Sequence, residues 1–264
     1  MKKFLKLFSL FLWDSKLKLS RAMEYRFDFV LGTIVNLIFS CVGPIMQYLI
    51  FTQTKGFPGW NLNQIILFQG ILLFVLALKS ILWGEVPGYI VSLVRRGDLD
   101  RLLLKPFPSI GIILSSGFSA NNFGTLISSI FLITYSLFIL DLDPRFFDVI
   151  MLLVYIFLGL LLFMAMNIIL ASAIIILINM GRLNEIMESL SRFGQYPLEI
   201  YSNTLRAVFV GIVPFAIWVN YPSRILLYGF QGSMLYSVIF CTVFLAGSLC
   251  LWSTCLKRYT SGGG

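Results

Sequence analysis

The chain has 264 residues, of which 58% are hydrophobic and only 12% charged, with a formal net charge of +8. Soluble domains are about 25% charged, so this balance excludes a large soluble domain and points to lipid as the solvent of its long apolar runs. The absence of His removes the commonest general base and metal ligand, and the four Cys lie in apolar runs, where Cys acts as a small hydrophobe.

Residues 1–28 carry Phe4, Leu7, Phe8, Phe11 and Leu12 at helical spacing among Lys2, Lys3, Lys6 and Lys16. This predicts an amphipathic helix lying in a membrane interface. Charged residues follow its apolar part and no small-residue cleavage site closes it, so it is not read as a secretory signal. The first apolar run, residues 29–51, is 23 residues long, about 34 Å as a helix and enough to span a bilayer. A turn-rich link with Gly56, Pro58 and Gly59 leads to the second span, residues 65–83, which contains Lys79. Its Leu, Ile, Phe and Val residues each favour insertion by about 0.3 to 0.6 kcal/mol against about 3 for the one Lys, so insertion wins. Lys79 is read either as snorkelling toward head groups or, with Glu85, as lining an inner vestibule, with Trp83 one turn away as a cation-π partner.

The segment LVRRGDLDRLLLKP follows. Arg95, Arg96, Arg101 and Lys105 suit a cytoplasmic anchor. Gly97 as a turn, Asp98 and Asp100 at a helix start, and Leu102 to Leu104 before Pro106 predict a short helix on that face. A third span covers residues 123–140, with 109–122 as its extension or a bent lead-in. A fourth covers 149–178, 30 residues without charge, taken as a single long span. Residues 181–206 read as an amphipathic surface segment in which Ile186, Leu190 and Phe193 sit among charges. A fifth run, 207–219, is short and contains Pro214, so it borrows length upstream or is re-entrant. Residues 234–256 form the last span. Of the 20 Lys and Arg, only Lys55, Arg145 and Arg224 fall on the side opposite the termini and Lys79 within a span. The positive-inside rule then places both termini in the cytoplasm.

No P-loop, paired carboxylates or nucleophile elbow occurs. Asn36, Asn167 and Asn179 are polar groups within spans, readable as helix-to-helix hydrogen-bonding residues or as lining of a path, and Pro214 as a kink.

Two stretches, GDLDRLLLKP at 97–106 and YPLEIYSNTLRAVFVGIVPFAIWVNYP at 196–222, resemble the ABC-2 type permeases, six-span membrane subunits of ATP-driven exporters. The likeness covers nearly the whole chain. It implies an all-α integral membrane protein: one permease domain with an amphipathic segment at 1–27, six transmembrane helices at 28–256, a cytoplasmic coupling helix between spans two and three, and a tail at 257–264. It further implies a multi-pass protein of a prokaryotic plasma membrane, and a dimer with itself or a sister permease, forming the translocation path. That dimer works with separate cytoplasmic ABC ATPase subunits that hold the ATP and Mg, so the chain itself carries no cofactor, is no enzyme and binds no nucleic acid; membrane lipids surround it. Carried over from the family, Gly97, Asp98, Leu99, Asp100, Arg101 and Leu102 are the coupling residues, while Asn36, Lys79, Asn167 and Pro214 are candidates for the path from their own chemistry within the apolar runs. One departure is the link at 221–232, short enough that a full outer helical hairpin would be cramped. The competing readings are a membrane-embedded enzyme acting on lipid-linked substrates and a non-transporting scaffold subunit.

Overall fold

The computed structural model describes residues 2–177, 185, 188–189, 191–211 and 216–259. Among these, every regular element is helical and no strand forms, as lipid demands of any segment that is not a closed barrel. Helix α1 (Lys2–Glu24) leads into α2 (Arg26–Ser40) and α3 (Val42–Gln53). Pro44 lacks the N–H that would bond back to Ser40, so the helical ladder is interrupted near Cys41. Helix α4 (Leu62–Trp83) begins with a capping box: the Gln64 N–H donates to Asn61 Oδ1 at 2.9 Å, and the Asn61 N–H donates to Gln64 Oε1 at 3.1 Å.

Helix α5 (Val86–Arg96) follows after a break at Gly84 and Glu85. Two backbone bonds from the segment ahead of α8 support the break: Glu85 N–H to the Gly117 carbonyl at 3.1 Å and Ser119 N–H to the Ile81 carbonyl at 2.9 Å. Gly97 ends α5 in the left-handed region at φ 70°, and Asp98 N–H returns to the Leu93 carbonyl at 3.0 Å, the hydrogen bonding of a Schellman cap. The short helices α6 (Leu99–Leu103) and α7 (Ser109–Ser115) come next. Residues 109–122 are therefore a bent lead-in and not an extension of the third span. Helices α8 (Phe123–Ile139) and α9 (Phe146–Leu177) follow. Then come 3-10 turns at Phe193–Gln195 and Leu198–Ile200, α10 (Asn203–Gly211), a π-helical turn at Ala216–Asn220, α11 (Tyr221–Tyr228) and α12 (Tyr236–Lys257).

Where the sequence predicts six spans, four stretches among the described residues are long and apolar enough to cross a bilayer: Arg26–Gln53, Leu62–Arg96, Phe146–Ile176 and Tyr236–Lys257. Helix α8 is apolar but has only 17 residues, about 26 Å. The fifth run is a bent pair whose two pieces meet at 82°. Helix α9 is one unbroken helix of 32 residues, about 48 Å and longer than the hydrocarbon core.

Two apolar cores divide the molecule. One joins α4, α9, the π-helical turn and α11 around Phe68, Tyr155, Phe163 and Trp218. The other joins α5, α6 and α7 to the last turns of α9 and to Trp252 of α12. The second core marks the basic end, with Arg95, Arg96 and Arg101 beside it, and the start of α4 marks the far end.

Candidate functional site

At the basic end, the cap at Gly97 turns the chain so that Leu99 and Leu102 of α6 face inward, 0% and 2% exposed, against Val86, Ile90 and Ile113. Their i, i+3 spacing puts both on one helical face. What α6 offers outward is Arg101, paired to Asp98 at 3.5 Å, and then Leu103 and Leu104, the latter 87% exposed. Helix α1 holds this unit from the side. Leu7 packs over Gly111, the Phe11 and Phe118 rings meet edge to face, and Lys18 donates to the Ser116 carbonyl at 2.6 Å while pairing with Asp14 at 3.1 Å. Sequence spacing alone does not reveal this, because residues about a hundred positions apart meet only through the fold.

Midway along the molecule, α4, α9, Glu188 and Ser191 enclose a cavity of about 230 Å³ lined by Lys79, Trp83, Phe163, Asn167, Glu188 and Ser191, among others. Lys79 is half-buried and its ammonium lies 4.9 Å from the centre of the Phe163 ring, so the cation-π partner is Phe163 on α9 and not Trp83 on its own helix. Glu188 is the opposite charge that acts on it. Glu85 is exposed and is not among the cavity residues.

Residues 191–199 then follow α4 to the far end. Gln69 Nε2 donates to the Gln195 carbonyl at 3.1 Å, the Tyr196 and Phe57 rings meet 6.2 Å apart, and Trp60 Nε1 donates to Glu199 Oε2 at 3.0 Å. Lys79 and Leu62 are about 26 Å apart along that helix. The sequence reading keeps 181–206 together on one surface; the structure puts Glu188 beside Lys79 midway along the molecule and Glu199 beside Trp60 at its far end. Arg206, counted above with the termini, donates to the Leu198 carbonyl at 3.4 Å near the far end.

The far end is clasped by Glu199, which also meets Arg224 Nη1 at 3.3 Å. Glu199 precedes α10 and Arg224 lies on α11, so both flanks of the bent pair sit at the far end. Trp218 at its π-helical turn stacks on Phe163 with ring centres 4.0 Å apart. The segment read as a cramped link is in fact helix α11, packed on α9. This clasp is illegible in the sequence, since Trp60, Glu199 and Arg224 stand far apart and form no motif.

Of the residues expected to border a path, Lys79 and Asn167 share the cavity, Asn167 donating back to the Phe163 carbonyl at 2.9 Å. Asn36 lies elsewhere: its Nδ2 donates to the Asn121 carbonyl at 2.7 Å and ties α2 to the segment ahead of α8. The contact joins a helix to a turn. Pro214, Asn179, Ile186 and Leu190 lie outside the described residues.

Compared with known proteins, the chain matches the family model described as ABC-2 family transporter protein over residues 37–263. No curated protein and no solved structure matches it.

Proposed function

The chain belongs to the ABC-2 transporter family, and from that membership we propose that it is the permease subunit of an ATP-driven exporter, working as a dimer with separate cytoplasmic ATPase subunits. On this reading six segments cross the membrane. They are α2 with α3, α4, α8, α9, the segment between α9 and α10 that reaches the far end at Glu199, and α12, while α10 and α11 form a hairpin that returns to the far end. Both termini and the basic end then face the cytoplasm, consistent with Arg95, Arg96, Arg101 and Lys105 gathering there.

The observation that carries the reading is the build of the basic end. The unit of α5, α6 and α7 is fixed internally by Leu99 and Leu102, gripped by α1, and continuous with α4 through a hydrogen-bonded break. A push on its exposed Arg101, Leu103 and Leu104 is transmitted to α4 and α8 as a body, because packed interiors resist compression. Movement of these helices would alternate the dimer between inward- and outward-facing states. Gly97, Leu99 and Leu102 shape the coupling element, and Asp98, Asp100 and Arg101 are its charged face.

The test is hydrolysis and transport by the reconstituted complex. Leu104→Asp combined with Arg101→Glu is expected to leave the permease folded but to uncouple the ATPase from transport. Unchanged assembly and unchanged coupled turnover in that variant would rule the surface out as the point of contact.

A further inference from the structure

On the topology proposed above, the stretch that reaches the far end through residues 191–201 carries an unusual set of side chains past the apolar part of α4. Arg192 lies between Ser191, which lines the Lys79 cavity, and Gln195, which is bonded to Gln69 on α4. Arg192 is exposed, as are Ser189, Phe193, Tyr196 and Ile200. Beside it opens a groove of about 530 Å³ lined by Phe57, Arg192, Phe193, Tyr196, Ile200 and Tyr201 together with Ser189. Among these lining residues Arg192 is the only charged one, and among the described residues it enters no ion pair.

A guanidinium held against acyl chains costs about 2.5 to 3.5 kcal/mol or more, so this face is not built for the bilayer's tails. A wholly polar channel does not fit either, because Phe57, Phe193 and Ile200 form an apolar wall next to the charge. We infer that the groove binds an amphiphile with an anionic head group, its apolar part against Phe57, Phe193 and Ile200 and its anion paired with Arg192. The planar guanidinium fork suits a phosphate or carboxylate. Ser189 and Tyr196 supply further hydroxyls on the same lining. This rests on the permease reading and names the cargo class for it: a molecule whose head group needs shielding from the hydrocarbon while its tail does not.

The test uses the full chain in proteoliposomes, with Cys41, Cys241, Cys250 and Cys255 replaced by Ala and a single cysteine introduced by Ser189→Cys. A companion variant, Ile239→Cys on α12, places the thiol at a side chain that is exposed on the apolar surface. A charged, membrane-impermeant thiosulfonate is expected to label the first and spare the second. Dodecyl phosphate should then protect the Ser189→Cys thiol at concentrations about fivefold lower than dodecyltrimethylammonium, a difference of one charge contact. Arg192→Gln should abolish that preference and Arg192→Lys retain part of it, with melting behaviour unchanged in both. Labelling no faster than at position 239, or equal protection by the two amphiphiles, or a preference that survives Arg192→Gln, would overturn the inference. Neither readout needs an ATPase, so failure here leaves the permease reading standing, and loss of that reading leaves the binding data intact.

Discussion

Single positions decide how closely the helices approach. A Cβ on Gly124 would run into the α2 backbone at Thr33 and Leu37, so α2 and α8 touch only because that side chain is a hydrogen. Gly124→Val is expected to cost about 1 to 3 kcal/mol by overpacking and to lower the melting temperature in detergent. Gly32→Ala, with open space around its Cβ, should be neutral or slightly stabilising, since Ala is the better helix former. The Glu199–Arg224 contact at 3.3 Å is partly exposed, with side-chain exposures of 22% and 37%. A double-mutant cycle of Glu199→Gln and Arg224→Gln should therefore return only about 0.5 to 1 kcal/mol of coupling, read from unfolding midpoints. A coupling near zero would remove the clasp as a contributor to the closed far end.

Among the elements, α6 separates two jobs that its sequence presents as one motif. Leu102→Asp places a carboxylate where 2% of the side chain is exposed and should cost about 3 kcal/mol or more, seen as aggregation or loss of the purified protein. Leu104→Asp, at 87% exposure, should leave melting unchanged within about 0.5 kcal/mol. If the two variants melted alike, the inward face assigned to Leu99 and Leu102 would be wrong. The Gly97 turn, the proline-bounded leucine run and the N-terminal amphipathic pattern were legible because local chemistry dictates them: a left-handed cap, a chain stop before proline, apolar residues at helical spacing. The long uncharged run became one helix for the same reason. The fifth run was not legible, because Trp218 at its turn rests on Phe163 of α9 and the stretch ahead of it is held by Gln69 and Trp60, contacts made by other elements that no local pattern records. The Lys79 site was half legible. Its charge inside a span marked it, but the aromatic partner came from α9 rather than from its own helix.

For the whole molecule, the account orders the chain between a basic end and a far end, and that order has an accessible test. In right-side-out vesicles, cysteines placed by Lys55→Cys and Ser202→Cys should react with an impermeant reagent from outside, and one placed by Lys105→Cys only after permeabilisation. Position 202 separates the two topologies, since a segment 181–206 kept wholly on the cytoplasmic surface would leave it unlabelled from outside. Whether the proposed permease is moved by a partner bound at its basic end is answered by isolating the protein in mild detergent from its own membrane and following ATP hydrolysis in the purified material. An ATP-hydrolysing subunit is expected to travel with it, and its activity to be lost from the permease fraction in the Leu104→Asp, Arg101→Glu variant. Isolation of a folded chain that reproducibly brings no ATPase, from membranes where the transport function is intact, would contradict the proposal.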